Sequence, residues 1–310
     1  MIDPRLRSLQ MVAWHGTVTQ AAASLSYTPS AVSAQLRSLS AELGVTLLHR
    51  QGRTLRLTPA GRLLVEQAEQ LRADWERMYA ELLHTSDRVP ATLGLCGFST
   101  AAASLLPSVA TAVLAAHPGV DVRLIEADPY ECFELLLAGR ADVAVVVTTQ
   151  DLPAEADPRF EQRPLMADKL DLLVHAGHRL AARTSVPLAE TADEPWIMDH
   201  PGRPNHDMVL TSCLAAGFNP RLAHEIVEWG SGAALVGAGL GVALVPRLAR
   251  LPSGYDIVRV PLEGDPSPAR QVRTGIRAGS ADHRLVAAAL RELTGLAAVD
   301  RSGRDVEGEG

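Results

Sequence analysis

Between Thr19 and Leu57 the chain reads TQAAASLSYTPSAVSAQLRSLSAELGVTLLHRQGRTLRL, and its start and stop signals confine it to a few short elements. Upstream, Leu6, Leu9, Val12 and Ala13 recur at helical spacing, and Gly16 ends that first helix. Thr19 is placed to cap a second helix, Gln20 to Leu25, whose Ala21 and Ala22 let a crossing helix approach closely. Ser26 and Tyr27 form a turn. Thr28 then caps a third helix with Pro29 at its first position, where a missing N–H costs nothing. In that helix Val32, Leu36, Leu39 and Leu43 make a stripe for burial. Ser30, Ser33, Ala34 and Arg37 fall on the opposite side, a flat face of short side chains such as entry into a DNA major groove requires. LLHRQGRTLRL then predicts a hairpin turning at Gln51-Gly52-Arg53, with Arg50, Arg53 and Arg56 along one edge to grip phosphates.

Charge supports a nucleic-acid contact confined to this region. The net charge is −7, yet residues 1–65 hold seven arginines against Asp3 and Glu42, giving +5 and leaving −12 for the remainder. Lys169 is the sole lysine, so arginine usage alone says nothing about DNA. Three helices and a basic hairpin make a winged helix-turn-helix over residues 1–58, with the helix-turn-helix proper at about 18–37.

The segments TQAAASL, SAVSAQLRSL, AELGVTLLHR and LTPAG resemble the N-terminal domain of LysR-type bacterial transcriptional regulators. The resemblance implies DNA contacts at Thr19, Gln20, Tyr27, Thr28, Pro29, Ser30, Ser33, Ala34 and Arg37, with Arg50, Arg53 and Arg56 on the wing. The family often carries glutamine where Pro29 stands, and arginine or glutamine where Ala34 stands. It further implies a dimer or tetramer on a promoter inverted repeat, RNA polymerase as a partner, and a small-molecule effector.

From Thr58-Pro59 a helix is expected to about Leu83, within a linker spanning 59–88. Leu64, Ala68, Leu71, Trp75, Met78 and Leu82 alternate in steps of four and three, an a/d seam for a coiled-coil dimer. Beyond it, ATLGLCGF, VDVRLIEA and ADVAVVV read as strands separated by helices, which implies a parallel sheet. After a proline-rich crossing from Leu152 to Pro164, DLLVHA, WIMD, RLAHEIV and VALVP are further strands, with helices near 205–216 and 231–239. RQVRTGIRA and a helix from Asp282 to Leu296 return the chain to the first set. The expected fold is therefore α plus α/β: a winged head, a linker helix and an effector domain over 89–298 like a two-lobed periplasmic binding protein. Its first lobe takes about 91–162 and 270–298, its second about 163–269; 299–310 are a polar, disordered tail.

Strand ends and helix starts nominate the effector contacts in a cleft between the lobes: Ser99, Thr100, Asp128, Thr148 and Thr149 in or beside the first, and His200, Arg203, Gly230 and Ser231 in the second. Hydroxyls and free N–H groups there suit a small carboxylate or amino acid. No cofactor, metal or membrane contact is expected. GAGLGV (237–242) follows a helix and precedes a strand, the reverse of a dinucleotide fingerprint. GFST and GSGA lack the spacing of a nucleophile elbow, and His200 and His206 have no evident third ligand. Cys96, Cys132 and Cys213 are isolated, and the polar MIDPRLRSLQ start is no secretory signal, so a cytoplasmic, non-enzymatic regulator is the expectation. A solute-binding transport component would explain the body but not the basic head.

Overall fold

Asp3 accepts a hydrogen bond from the Arg5 N–H at 2.9 Å, and with Pro4 in the first turn it starts helix α1, Pro4–His15. Gly16 stops it in the left-handed region at φ 70°. The structure is a computed structural model and describes residues 2–52, 54–85, 92–264 and 267–305. Helix α2, Val18–Leu25, begins two residues earlier than expected. Thr17, extended directly after the glycine stop, accepts from the Gln20 N–H, so Thr19 lies in the first turn rather than at the cap. Ser26 ends α2 at φ 58°, the one positive φ of a non-glycine among the described residues. Its N–H and that of Tyr27 satisfy the last carbonyls of the helix.

Helix α3, Pro29–Leu43, is capped by Thr28 as its sequence requires, the hydroxyl accepting from the Ala31 N–H. Val32, Leu36 and Leu39 are buried; Leu43, the expected fourth member of the stripe, is the last helical residue and is exposed. Strands β1 (Leu48–Gln51) and β2 (Thr54–Leu57) form the antiparallel wing, with Gly52 in the turn. Thr58 accepts from the Gly61 N–H at 3.0 Å and opens α4, Pro59–His84.

Beyond α4 the chain forms β3 (Thr92–Gly97), α5 (Ser99–Ser104), α6 (Leu106–Ala116), β4 (Asp121–Glu126), α7 (Pro129–Leu137) and β5 (Val143–Val147). β3 pairs in parallel with β4 on one side and β5 on the other, as the strand–helix alternation predicts. The single helix expected after β3 is two, broken at Leu105, two residues before Pro107. The proline-rich crossing is also shorter than expected, since β6 already begins at Phe160 and runs to His175. There follow β7 (Pro195–Met198), α8 (Pro204–Ala215), β8 (Arg221–Glu225), α9 (Trp229–Gly237), β9 (Ala243–Pro246), β10 (Ile257–Pro261), β11 (Ala269–Arg277) and α10 (Arg284–Asp305). Helix α10 carries the chain to Asp305, through most of the tail expected to be disordered; residues 306–310 lie outside the described set.

The chain divides into two units. The first holds residues 1–146, 150–165 and 273–310; the second holds 147–149 and 166–272. Thr148 and Thr149 thus belong to the second unit. There β6 pairs antiparallel with both β9 and β10, while β7 and β8 run parallel. Leu172, Val174, Trp196, Val242 and Leu244 anchor its core.

In the first unit the apolar core of the winged head is continuous with that of β3, α7 and β5: Leu9, Met11, Val32 and Leu36 belong to the same buried cluster as Cys96, Phe133, Leu136 and Val146. Helix α4 buries Val65, Ala68, Ala73 and Ala80. The turn after β11 can approach it because Gly279, at φ 83°, has no side chain: a Cβ there would sit 2.3 Å from the Ala73 carbonyl oxygen.

A left-handed serine is costly where a glycine is not. Ser26→Gly is expected to raise the stability of the full chain by about 1 kcal/mol, the relief of αL strain less the extra entropy of an unfolded glycine. Chemical denaturation monitored by circular dichroism reads this directly.

Candidate nucleic-acid interface and effector-domain positions

The face of α3 opposite its buried stripe is open: Pro29, Ser30, Ala34 and Arg37 are exposed, Ser33 is half-buried, and Tyr27 and Thr28 stand exposed at the entry turn. A groove of about 930 Å³ runs between α2, α3 and the wing. Thr19, Gln20, Ser33, Arg37 and Arg50 line it together. Sequence reasoning missed Thr17, Ser40 and Thr54 in the same lining; their signal was only their polarity, which a solvated loop shares.

The wing arginines do not share an edge. Leu48 stands opposite Leu57 and Arg50 opposite Leu55, whereas His49 pairs with Arg56 and Gln51 with Thr54. Successive strand residues point to opposite faces, so Arg50 and Arg56 are on opposite sides of the hairpin. Arg50 joins the α3 groove; Arg56 lines a separate hollow beside Trp14, His15 and Arg62. Arg53 lies outside the described residues.

The expected seam of α4 is also split. Ala68 is 4% exposed and Leu64 packs on the chain's own core, so both are used inside the protomer. Trp75 is half-buried and stacks with Tyr79 at 6.5 Å. Leu71, Met78 and Leu82 are 49%, 44% and 55% exposed and carry the stripe left for a partner.

Ser99 is exposed at the end of β3, but Thr100 is 4% exposed and already engaged, so it is part of the packing. Asp128 is exposed at the start of α7 and makes no capping bond with its side chain. In the second unit Thr148 donates its N–H to the Gln271 carbonyl. His200 Nδ1 lies 2.6 Å from Glu225 Oε2, and Arg203 Nε 3.2 Å from Asp199 Oδ2. These two cationic candidates already have carboxylate partners. Gly230 and Ser231 lie inside the first turn of α9, which starts at Trp229.

All three cysteines are buried and free. Burial pushes the Cys213 thiol up to about 12, and contact with Cys132 together with burial raises Cys96 well above the usual thiol range.

One cluster had no sequence signal. Trp14 sits 5.2 Å from Tyr130 and edge-on to Phe160, with the Arg159 guanidinium 4.5 Å over its ring. Its indole N–H donates to Glu134 Oε1 at 3.2 Å, and His15 Nδ1 lies 3.4 Å from the same oxygen. Burial lowers the His15 pKa against the pull of Glu134. These residues join α1 to α7 and to the start of β6.

Comparison with known proteins matches residues 4–62 to "Bacterial regulatory helix-turn-helix protein, lysR family" and residues 86–298 to "LysR substrate binding domain". The HTH-type transcriptional regulator YwbI of Bacillus subtilis is 30% identical over 250 residues, covering 78% of each chain. The Escherichia coli DNA-binding transcriptional dual regulator OxyR is 27% identical over 277 residues, 89% of each chain. Among solved structures, full-length OxyR C199D from Pseudomonas aeruginosa superposes with a TM-score of 0.66 at 21% identity, covering 94% of both chains.

Proposed function

The chain belongs to the LysR family of bacterial transcriptional regulators, and on that footing we propose how this member works. It acts in the cytoplasm as a homodimer or a tetramer of dimers, reads an inverted repeat with two heads, and engages RNA polymerase once positioned. No helix among the described residues is long and apolar enough to cross a membrane. The observation that carries the DNA reading is the groove that sets Ser33 and Arg37 of α3 beside Gln20 and Arg50. Arg37 reads base edges, where a long donor is specific; Arg50 holds phosphate. Arg50→Ala is expected to weaken binding to all sequences alike and to lower the salt slope by about one unit. Arg37→Ala instead relaxes specificity, with about 1 to 3 kcal/mol lost at one base position. Fluorescence anisotropy on matched and substituted duplexes at several salt concentrations separates the two, and interchanged phenotypes would reverse the assignment.

Dimerisation is proposed to use Leu71, Met78 and Leu82 of α4. Leu71→Glu places a charge against its symmetry mate in a desolvated seam, which costs several kcal/mol. Sedimentation should show monomer, and affinity for the inverted repeat should collapse while the fold is retained.

The effector is proposed to be a small carboxylate or amino acid, with no bound cofactor. Within the first unit Ser99 is the exposed hydroxyl at the end of β3; His200 and Arg203 would serve only after leaving Glu225 and Asp199. Relatives carry the name hydrogen peroxide-inducible genes activator. All three cysteines here are buried, and Cys96 and Cys213 have raised thiol pKa values, which argues against a response through a reactive thiolate in this chain. Ser99→Ala removes one hydrogen bond to a charged ligand and no packing. It should keep DNA affinity and shift the effector dose-response by about tenfold. The measurement is a footprint titration with metabolites suggested by the neighbouring genes, and an unmoved midpoint would dismiss Ser99.

A further inference from the structure

Between α1, α4 and the end of α7 lies a cavity of about 480 Å³, all within the first unit. Its lining includes Arg7, Gln10, Arg72 and Arg277 against the carboxylates of Asp3 and Glu76. Asp3 is taken by Arg5, at 2.6 Å, and Glu76 by Arg277, at 2.8 Å. Arg7 and Arg72 form no ion pair among the described residues. Their recorded acceptors are neutral: the Ala138 carbonyl for Arg7, and the Leu137 carbonyl and Gln10 Oε1 for Arg72. Gln10 is only 5% exposed, and its amide nitrogen is a buried donor with no acceptor among the described residues. A buried donor left unmade costs more than a made one returns, so a polar group sealed this well calls for an acceptor.

We propose that this cavity is an anion site, taking a small oxyanion of the phosphate or carboxylate type on Arg7, Arg72 and the Gln10 amide. A single oxyanion supplies what the cluster lacks: a charged hydrogen-bond acceptor for two guanidinium groups bonded only to neutral oxygens, and lone pairs enough for the orphaned amide as well. Burial, then repulsion from Arg7 and Arg277, lowers Arg72 to about 10 against the pull of Glu76 and Glu69. Because Arg7 and Gln10 belong to the head and Arg72 to the linker, occupancy fastens these two helices to each other. The site is separate from the effector positions of the proposed function and from the DNA groove.

The test uses the full chain at fixed ionic strength set by chloride. Inorganic phosphate, sulfate and acetate are titrated separately by calorimetry, alongside thermal unfolding. At least one oxyanion should bind and raise the melting temperature; tetrahedral ions alone point to a phosphate-bearing ligand, acetate to a carboxylate. Arg7→Gln and Arg72→Gln should each weaken that binding at least tenfold, while Arg291→Ala, at an exposed arginine of α10, leaves it unchanged. Gln10→Glu covers the case in which an arginine variant fails to fold. Its carboxylate occupies the cavity from within, so it should raise the melting temperature without added anion and abolish the response to it. The proposal is overturned if no oxyanion binds at millimolar concentration, if binding is lost in Arg291→Ala, or if Gln10→Glu binds as the parent chain does.

Discussion

Three arginines from three separate segments end on the same turn of one helix. Arg7 of α1 donates to the Ala138 carbonyl, Arg72 of α4 to Leu137, and Arg277 of β11 to Leu136 and Ala141. The last carbonyls of a helix have no intrahelical donors and carry the negative end of its dipole, so cations are favoured there. Arg277 is the most demanding of the three. Burial alone would pull its pKa down, yet Glu76 and Asp142 outweigh it and hold the guanidinium above its usual range. Removing both carboxylates would leave an uncompensated charge in the interior, a loss of about 3 to 5 kcal/mol by the measure of buried pairs that lose their partner. The junction gives α1, α4 and β11 a common point of attachment at the end of α7.

With that side of the head committed, its remaining surface is what function can use. Helix α1 turns Trp14 and His15 toward Glu134, Tyr130 and Arg159, and the helix-turn-helix shares its core with α7. The open surface is then the α3 face with its groove, and the apolar stripe on α4. Arg37 and Arg50 in the first and Leu71 in the second are exposed, which is why each can be changed without touching the core.

The head was legible because its signals are local. Caps at Thr28 and Thr58, the stop at Gly16, and the alternation in β2 each depend on neighbours within a few residues. The Thr17 cap was missed because Thr17 and Thr19 are equally good acceptors, and only the length of the turn after Gly16 decides between them. The wing was misread for a different reason: arginines three apart look evenly spaced in a line, but a period of two through a hairpin sends Arg50 and Arg56 to opposite faces. In the effector domain, strands and helices could be found from apolar runs and glycine stops, whereas the state of each polar side chain could not. Nothing near His200 in sequence announces Glu225, and nothing near Thr100 announces that it is buried.

The linker helix shows how one periodicity can carry two interfaces. Val65, Ala68, Ala73 and Ala80 are buried within the protomer, while Leu71, Met78 and Leu82 face outward. A heptad count merges these stripes, because steps of three and four generate both from the same residues. Side-chain volume separates them. The inward stripe is mostly alanine, and Gly279 brings backbone against the Ala73 carbonyl, a spacing that leucine would forbid. The outward stripe is long and flexible, suited to interdigitating with a copy of itself. Arg72, Glu76 and their partners lie beside the inward stripe, so a partner chain gripping the outward one holds a helix whose other face is tied to α1, α7 and β11. A rigid helix cannot move one face without the other. If the linkers pair as proposed, any shift between them would bear directly on the arginine junction beneath the head.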